Sequence, residues 1–227
     1  MLKIQDNTYI KRTLKFFIVS ILITIITVIL AIIFSPSAET FNNMFSDTNL
    51  NSNEASGLEK VLHYIINNGF RVPFQMLILA IIPIPFLYYI NILSTSILTG
   101  IALGFAISLD AFKGSMMLIS SLPHFILEDI GLCVVASGLF LFNKAIINKI
   151  ISFFKHDKSQ TISVKVAFTD LLKMYFSIAL PYIIIAAFME TYVVSFGVIW
   201  HKFCALNGAK QVDNYITVYL LSFITFL

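Results

Sequence analysis

From residue 16 onward the chain is written in long apolar runs separated by shorter stretches that hold most of its charged side chains. At about 1.5 Å per helical residue, a run of roughly 20 residues crosses a hydrocarbon core of ~30 Å. Runs of this kind occupy residues 16–34, 73–90, 92–109, 118–142 and 174–198, which predicts five transmembrane helices. They are continuous rather than alternating, so helices and not an outer-membrane barrel are expected. A last run, 215–227, reaches only about 20 Å. It is expected to re-enter, to lie on the membrane or to form a short sixth span. The predicted fold is an all-α integral membrane protein, a single polytopic domain over residues 1–227, with amphipathic interfacial helices beside the spans.

The connections carry their own signals. Residues 35–72 are rich in Asn, Ser, Asp and Glu and read as an external segment. Within it Leu58, Val61, Leu62, Ile65 and Ile66 fall at helical spacing, which predicts an amphipathic helix on the outer surface or a lid docked on the bundle. The second span contains Pro83 and Pro85, the fourth Pro123 and the fifth Pro181, each expected to kink its helix. The basic stretch 143–173 is expected to be cytoplasmic, with an interfacial helix over 145–154, and residues 199–227 form an external tail.

Composition supports the membrane reading and charge orients it. The chain is 58% hydrophobic and 12% charged, against roughly 25% charged in soluble domains. Residues 1–15 hold four Lys and Arg and residues 143–173 hold six, so ten of the fifteen lie in the two segments that span parity places together. The positive-inside rule then puts the N-terminus in the cytoplasm. Residues 35–38 are small, as at a signal-peptide cleavage site, but the preceding run is too long for an h-region and an uncleaved anchor is expected. Cys133 and Cys204 build no disulfide framework and read as ordinary apolar residues.

Two residue patterns point to contacts and chemistry. Ser96, Gly100, Gly104 and Ser108 recur at every fourth position of the third span, a face on which helix backbones approach closely, in this chain or in another copy. In the fourth span His124, Glu128, Gly131 and Gly138 share one face, while Asp129 points about 100° away and needs a partner of its own. Glu128 and Asp129 fall near the bilayer midplane, where an unpaired carboxylate costs about 2.5–3.5 kcal/mol and must be buried, paired or protonated. Depth along the fifth span brings Glu190 level with His124, so a His124–Glu190 pair with Glu128 one turn below is expected. Three chemistries fit His124, Glu128 and Glu190: a zinc site, a proton or ion relay, and a structural polar network. No His-Glu-x-x-His, glycine-framed serine nucleophile, phosphate loop or nucleic-acid surface accompanies them, so no catalytic residue is assigned and no cofactor beyond a candidate zinc ion.

The run Thr99-Gly100-Ile101-Ala102-Leu103-Gly104, then Leu122-Pro123-His124 with Glu128, and Ala186-Ala187-Phe188-Met189-Glu190 late in the fifth span, resembles the stage II sporulation protein M family of bacterial and archaeal membrane proteins. Asn67-Asn68 before the second span is similar to the family's asparagine there. Phe125 stands where the family prefers Gly, and Asp129 adds a second acid. The resemblance implies a multi-pass protein of the bacterial cytoplasmic membrane without established catalysis. Its namesake scaffolds peptidoglycan-degrading enzymes, and relatives accompany circular bacteriocins. The expected role is therefore a scaffold or accessory subunit of a cell-envelope complex, assembling through the third-span face and the segment 35–71. The alternatives are a component of peptide maturation, export or immunity and a metal-dependent intramembrane hydrolase. Expected partners are the lipid bilayer and other envelope proteins, an ABC-type ATPase or a second copy among them, and not nucleic acid.

Overall fold

The computed structural model of the chain describes residues 8–34, 57–155 and 163–194. Most of the expected external segment and the whole tail from residue 199, with its short sixth or re-entrant helix, lie outside the described residues. Within them every element is helical: α1 (Tyr9–Phe34), α2 (Leu58–Tyr64), α3 (Val72–Ile81), α4 (Ile90–Leu109), α5 (Ala111–Lys155), α6 (Val164–Met174) and α7 (Leu180–Met189). π-Helical segments Ile65–Arg71, Tyr175–Ala179 and Glu190–Val194 join or extend them, so residues 58–81 and 164–194 are each one unbroken column. Four stretches, Tyr9–Phe34, Leu87–Leu109, Gly114–Phe154 and Val164–Tyr192, are long and apolar enough to cross a membrane. That is the pattern of a multi-pass membrane protein.

The column 58–81 differs from the expected second span, and proline chemistry explains both of its ends. Pro83 disfavours helical backbone at the residue before it, and Ile82 is extended at φ −67°, ψ 129°. The Pro-Ile-Pro stretch therefore ends the helix instead of bending it, and Phe86 completes the reversal in the left-handed region at φ 64°. The last carbonyls of α3 are capped from α5: the Asn143 side-chain amide donates to the Ala80 and Ile82 carbonyls, 2.9 Å each. Pro73 can donate no amide hydrogen to the Gly69 carbonyl four residues earlier, and the Tyr175 hydroxyl donates to that carbonyl instead. With both needs met, α2 is not a separate surface helix. It continues straight into the bundle and carries Asn67 and Asn68 with it.

α5 is the central and longest helix, 45 residues or about 68 Å. Pro123 sits inside it without ending it, and the basic stretch after Asn143 prolongs the same helix, so the expected separate interfacial helix is absent. α1 runs antiparallel to α5, since the Tyr9 hydroxyl donates to the Val134 carbonyl and Ser20 to Asp129. The final column starts at Val164, ten residues before the expected 174. It too is antiparallel to α5, with Leu171 against Gly138 and Ile183 against Gly131. Tyr9 marks the near end of the bundle and Phe34 its far end.

The small-residue face of α4 finds its partner within the chain. A methyl group at Gly100 would lie 2.8 Å from the Thr24 carbonyl oxygen, and one at Gly104 would lie 2.5 Å from Ala31 Cβ. Ser96 is buried on the same face and Ser108 half-buried beyond it. α1 fills this groove, so of the two partners the spacing left open it is a helix of the same chain that Gly100 and Gly104 meet, and the assembly role expected for this face is not available to it. The opposite side of α1, with Leu22, Ile26 and Ile29, is exposed as a lipid-facing surface should be.

Candidate functional site: a polar cavity against the central helix

The polar residues of α5 divide between two faces. Asp129 turns toward α1, where Ser20 donates to it, and the Cys133 thiol approaches its other oxygen at 3.8 Å. Cys133 is thus more than an apolar filler. Glu128, one residue earlier, turns toward the first π-helical segment. There Asn68 accepts from Asn67 at 2.7 Å and directs its own amide to the Glu128 carboxyl. π-Helical turns cluster at functional positions, and both Asn68, which bonds Glu128, and Glu190, a like-charged neighbour of it, lie on one. Asn68 is on the first, and Glu190 opens the third.

Beside Glu128 lies a cavity of about 50 Å³, walled by α4, α5 and Asn68. Ser121, His124, Glu128 and Asp129 line it from α5, and Thr95, Ser96 and Thr99 from α4. Ser121 and His124 are each only 5% exposed, and among the described residues neither Ser121 Oγ nor His124 Nδ1 has a hydrogen-bond partner. Buried polar atoms are ordinarily satisfied, and an orphan costs about 1–3 kcal/mol. Both orphans belong to residues that line the cavity, and they mark this part of α5 as the least satisfied polar stretch of the helix.

The expected His124–Glu190 pair does not form. Glu190 is buried against the Tyr64 hydroxyl, close enough to Glu128 and Lys60 to interact electrostatically, and its Oε1 accepts no hydrogen bond. Helix direction explains this. Side chains tilt toward the N-terminus of their own helix, so on antiparallel columns His124 leans to the far end while Glu190 leans to the near end, toward Glu128. Equal depth was not enough. Among the described residues no group of three or more His, Cys, Asp or Glu side chains converges as a metal-ion site, so the geometry does not assemble the zinc site considered for His124, Glu128 and Glu190.

The family model described as stage II sporulation protein M matches residues 13–195. The chain belongs to the stage II sporulation protein M family. No curated protein and no solved structure matches it. The match to this sporulation-protein family covers nearly every described residue, α1 included, although the sequence resemblance rested on residues 67–194. It thus takes in both walls of the α1–α4 seam and all sides of the cavity. Of the other residues singled out, Gly131 and Gly138 are contact points for α7 and α6, and Pro181 follows the second π-helical segment as Pro73 follows the first. Tyr64, Ser121, Ser20, Asn143 and Tyr175 escaped sequence reasoning. Single hydroxyls and amides in apolar runs are ordinary there, and their partners lie far away in the chain.

Proposed function

We propose that this family member is a non-enzymatic membrane subunit of a cell-envelope complex whose working part is the cavity beside Glu128. It is placed in the bacterial cytoplasmic membrane with its N-terminus inside, and residues 58–81 serve as the fifth pass. Of the two settings considered, peptide maturation, export or immunity fits better than passive scaffolding. The observation that carries this choice is the pair of orphaned buried groups, Ser121 Oγ and His124 Nδ1, around a cavity large enough for a few water molecules. A scaffold needs only a packed centre, and its small-residue seam is already filled by α1.

The test is complementation of a deletion strain by near-isosteric variants. The working-cavity reading expects Glu128→Gln and His124→Gln to accumulate in the membrane at wild-type levels and to fail in complementation. Full complementation by both would return the protein to the scaffold reading, because a packing role tolerates replacements of the same shape.

A further inference from the structure

Three columns meet at Ile183 of α7. A methyl group on Gly131 of α5 would lie 2.8 Å from Ile183 Cγ1, and one on Gly69 of the first π-helical segment 3.7 Å from its Cγ2. Helical spacing carries each contact face one layer further toward the far end. Glu128 lies on the Gly131 face of α5, Asn68 and Tyr64 precede Gly69, and Ala187 and Glu190 follow Ile183 on one face of the last column. In that layer Val61, Tyr64 and Ala187 form a buried cluster, Asn68 directs its amide to the Glu128 carboxyl, and Glu190 lies against the Tyr64 hydroxyl. Because the columns are antiparallel, Glu128 leans toward the far end and Glu190 toward the near end, so the two carboxyls converge. Glu190 is only 4% exposed, and among the described residues its Oε1 has no hydrogen-bond partner.

Charge decides what such a pair can hold. α2 brings Tyr64 and the half-buried Lys60, which lies 5.7 Å from the Tyr64 ring centroid and within electrostatic reach of Glu190. The first π-helical segment offers the neutral Asn68, with Arg71 exposed at its end. α5 adds His124 and Asp129, and the Asp129 carboxyl is occupied by Ser20 and Cys133. On the last column Thr191 is turned to the Ala187 carbonyl at 3.0 Å, and Tyr192 is exposed. Arg12 of α1 is spent elsewhere, 3.2 Å from Ser137 Oγ, and α4 brings hydroxyls to the Glu128 side. Lys60 can answer one carboxylate of the pair, and two like charges in one buried layer do not both stay ionised. No third His, Cys, Asp or Glu converges on them among the described residues, so the donor set of a metal site is missing. We propose that Glu128 and Glu190 form a carboxyl pair that binds one proton between them, taken from and returned to water, at the junction where residues 58–81 and the last column meet α5. This rests on Glu128 belonging to the working part of the protein, and it gives that part a ligand. Asn68 and Glu190 each lie on a π-helical turn, so gain or loss of the proton changes the charge at the contact that both turns make with α5.

The experiment is infrared spectroscopy of the full chain reconstituted in lipid bilayers, as a pH series in light and heavy water. The carbonyl stretch of a protonated carboxyl is distinct from that of a carboxylate and moves on deuteration. The signal of the pair is the difference between wild type and the double variant Glu128→Gln/Glu190→Gln, which cancels Asp129 and the other carboxyls. Wild type is expected to show one protonated carboxyl at neutral pH, which ionises as the pH is raised. In Glu128→Gln and in Glu190→Gln the neighbouring negative charge is gone. The remaining carboxyl should therefore release its proton at a pH lower by about one unit or more, a tenfold loss of proton affinity. A carboxyl with a packing role alone would not respond to its neighbour in this way. Wild type and the two single variants carry the test if the double variant yields no folded protein. Absence of a protonated carboxyl at neutral pH, or midpoints unchanged in both single variants, overturns the proposal. If Glu128→Gln then still fails in complementation, only the proton is lost and the cavity keeps its role. A coupled proton together with full complementation by Glu128→Gln and His124→Gln would instead remove the working-cavity reading and leave the pair.

Discussion

Two halves of the same helix, α5, treat their polar side chains in opposite ways. From Asp129 to Asn143, each buried polar side chain is matched. Ser20 and Cys133 serve Asp129, and Ser137 donates to the Tyr9 carbonyl at 3.1 Å while accepting from Arg12. Asn143 closes two carbonyls of α3. From Ser121 to Glu128, two of the buried groups have no partner among the described residues, and both belong to residues that line a cavity. Lipid offers no hydrogen bonds, so satisfied groups there are fasteners and unsatisfied ones are vulnerable points with a reason to persist. One amphipathic pattern in the sequence thus covers a fastening half and a half with unmet polar groups.

The contrast makes graded demands on stability. The largest effect is expected in the close seam between α1 and α4: Gly100→Ile drives a branched side chain into Thr24 and Thr27. It should cost about 3 kcal/mol, seen as loss of the monodisperse peak on size-exclusion chromatography in detergent. Next comes Asn143→Leu, which strands the Ala80 and Ile82 carbonyls at the Pro83 break. A loss of about 2 kcal/mol is expected in denaturant titrations, with α3 the first element cleaved by protease. Tyr175→Phe leaves the Gly69 carbonyl without its donor and should cost about 1 kcal/mol. In the unsatisfied half the sign changes. Ser121→Ala removes an orphan and should leave the protein within about 0.5 kcal/mol of wild type, on the stable side. A loss there as large as that of Asn143→Leu would break the distinction between the halves.

Much of the fold was legible because apolar runs report bilayer crossings directly. The 16–34, 92–109, 118–142 and 174–198 runs each lie largely within a helix long and apolar enough to cross. The spacing of Gly100 and Gly104 announced a close helix contact, and only the identity of the partner, α1, was hidden. Residues 58–81 were harder, because Asn67, Asn68 and Arg71 look like the edge of a loop. A helix keeps such residues only where a neighbour answers them, and Glu128 answers Asn68 from a distant part of the sequence. Pro83 and Pro85 looked like a kink for the same reason: the cap that makes a clean helix end affordable is Asn143, some sixty residues on. For the candidate site, periodicity grouped His124 with Glu128 and separated Asp129, whereas depth alone paired His124 with Glu190. Depth ignores the tilt of side chains on antiparallel helices, and that tilt leaves His124 to the cavity.

The most direct test of the account is the water accessibility of α5 in membrane vesicles. In a background of Cys133→Ser and Cys204→Ser, single cysteines at Ser121 and at Ser137 are exposed to a small, charged, water-soluble thiol reagent, and the rates of modification are compared. The account expects Ser121→Cys to react and Ser137→Cys, also buried but fully partnered, to stay unmodified. Equal protection of both positions would contradict a working cavity beside Glu128 and leave α5 a packed helix along its whole length.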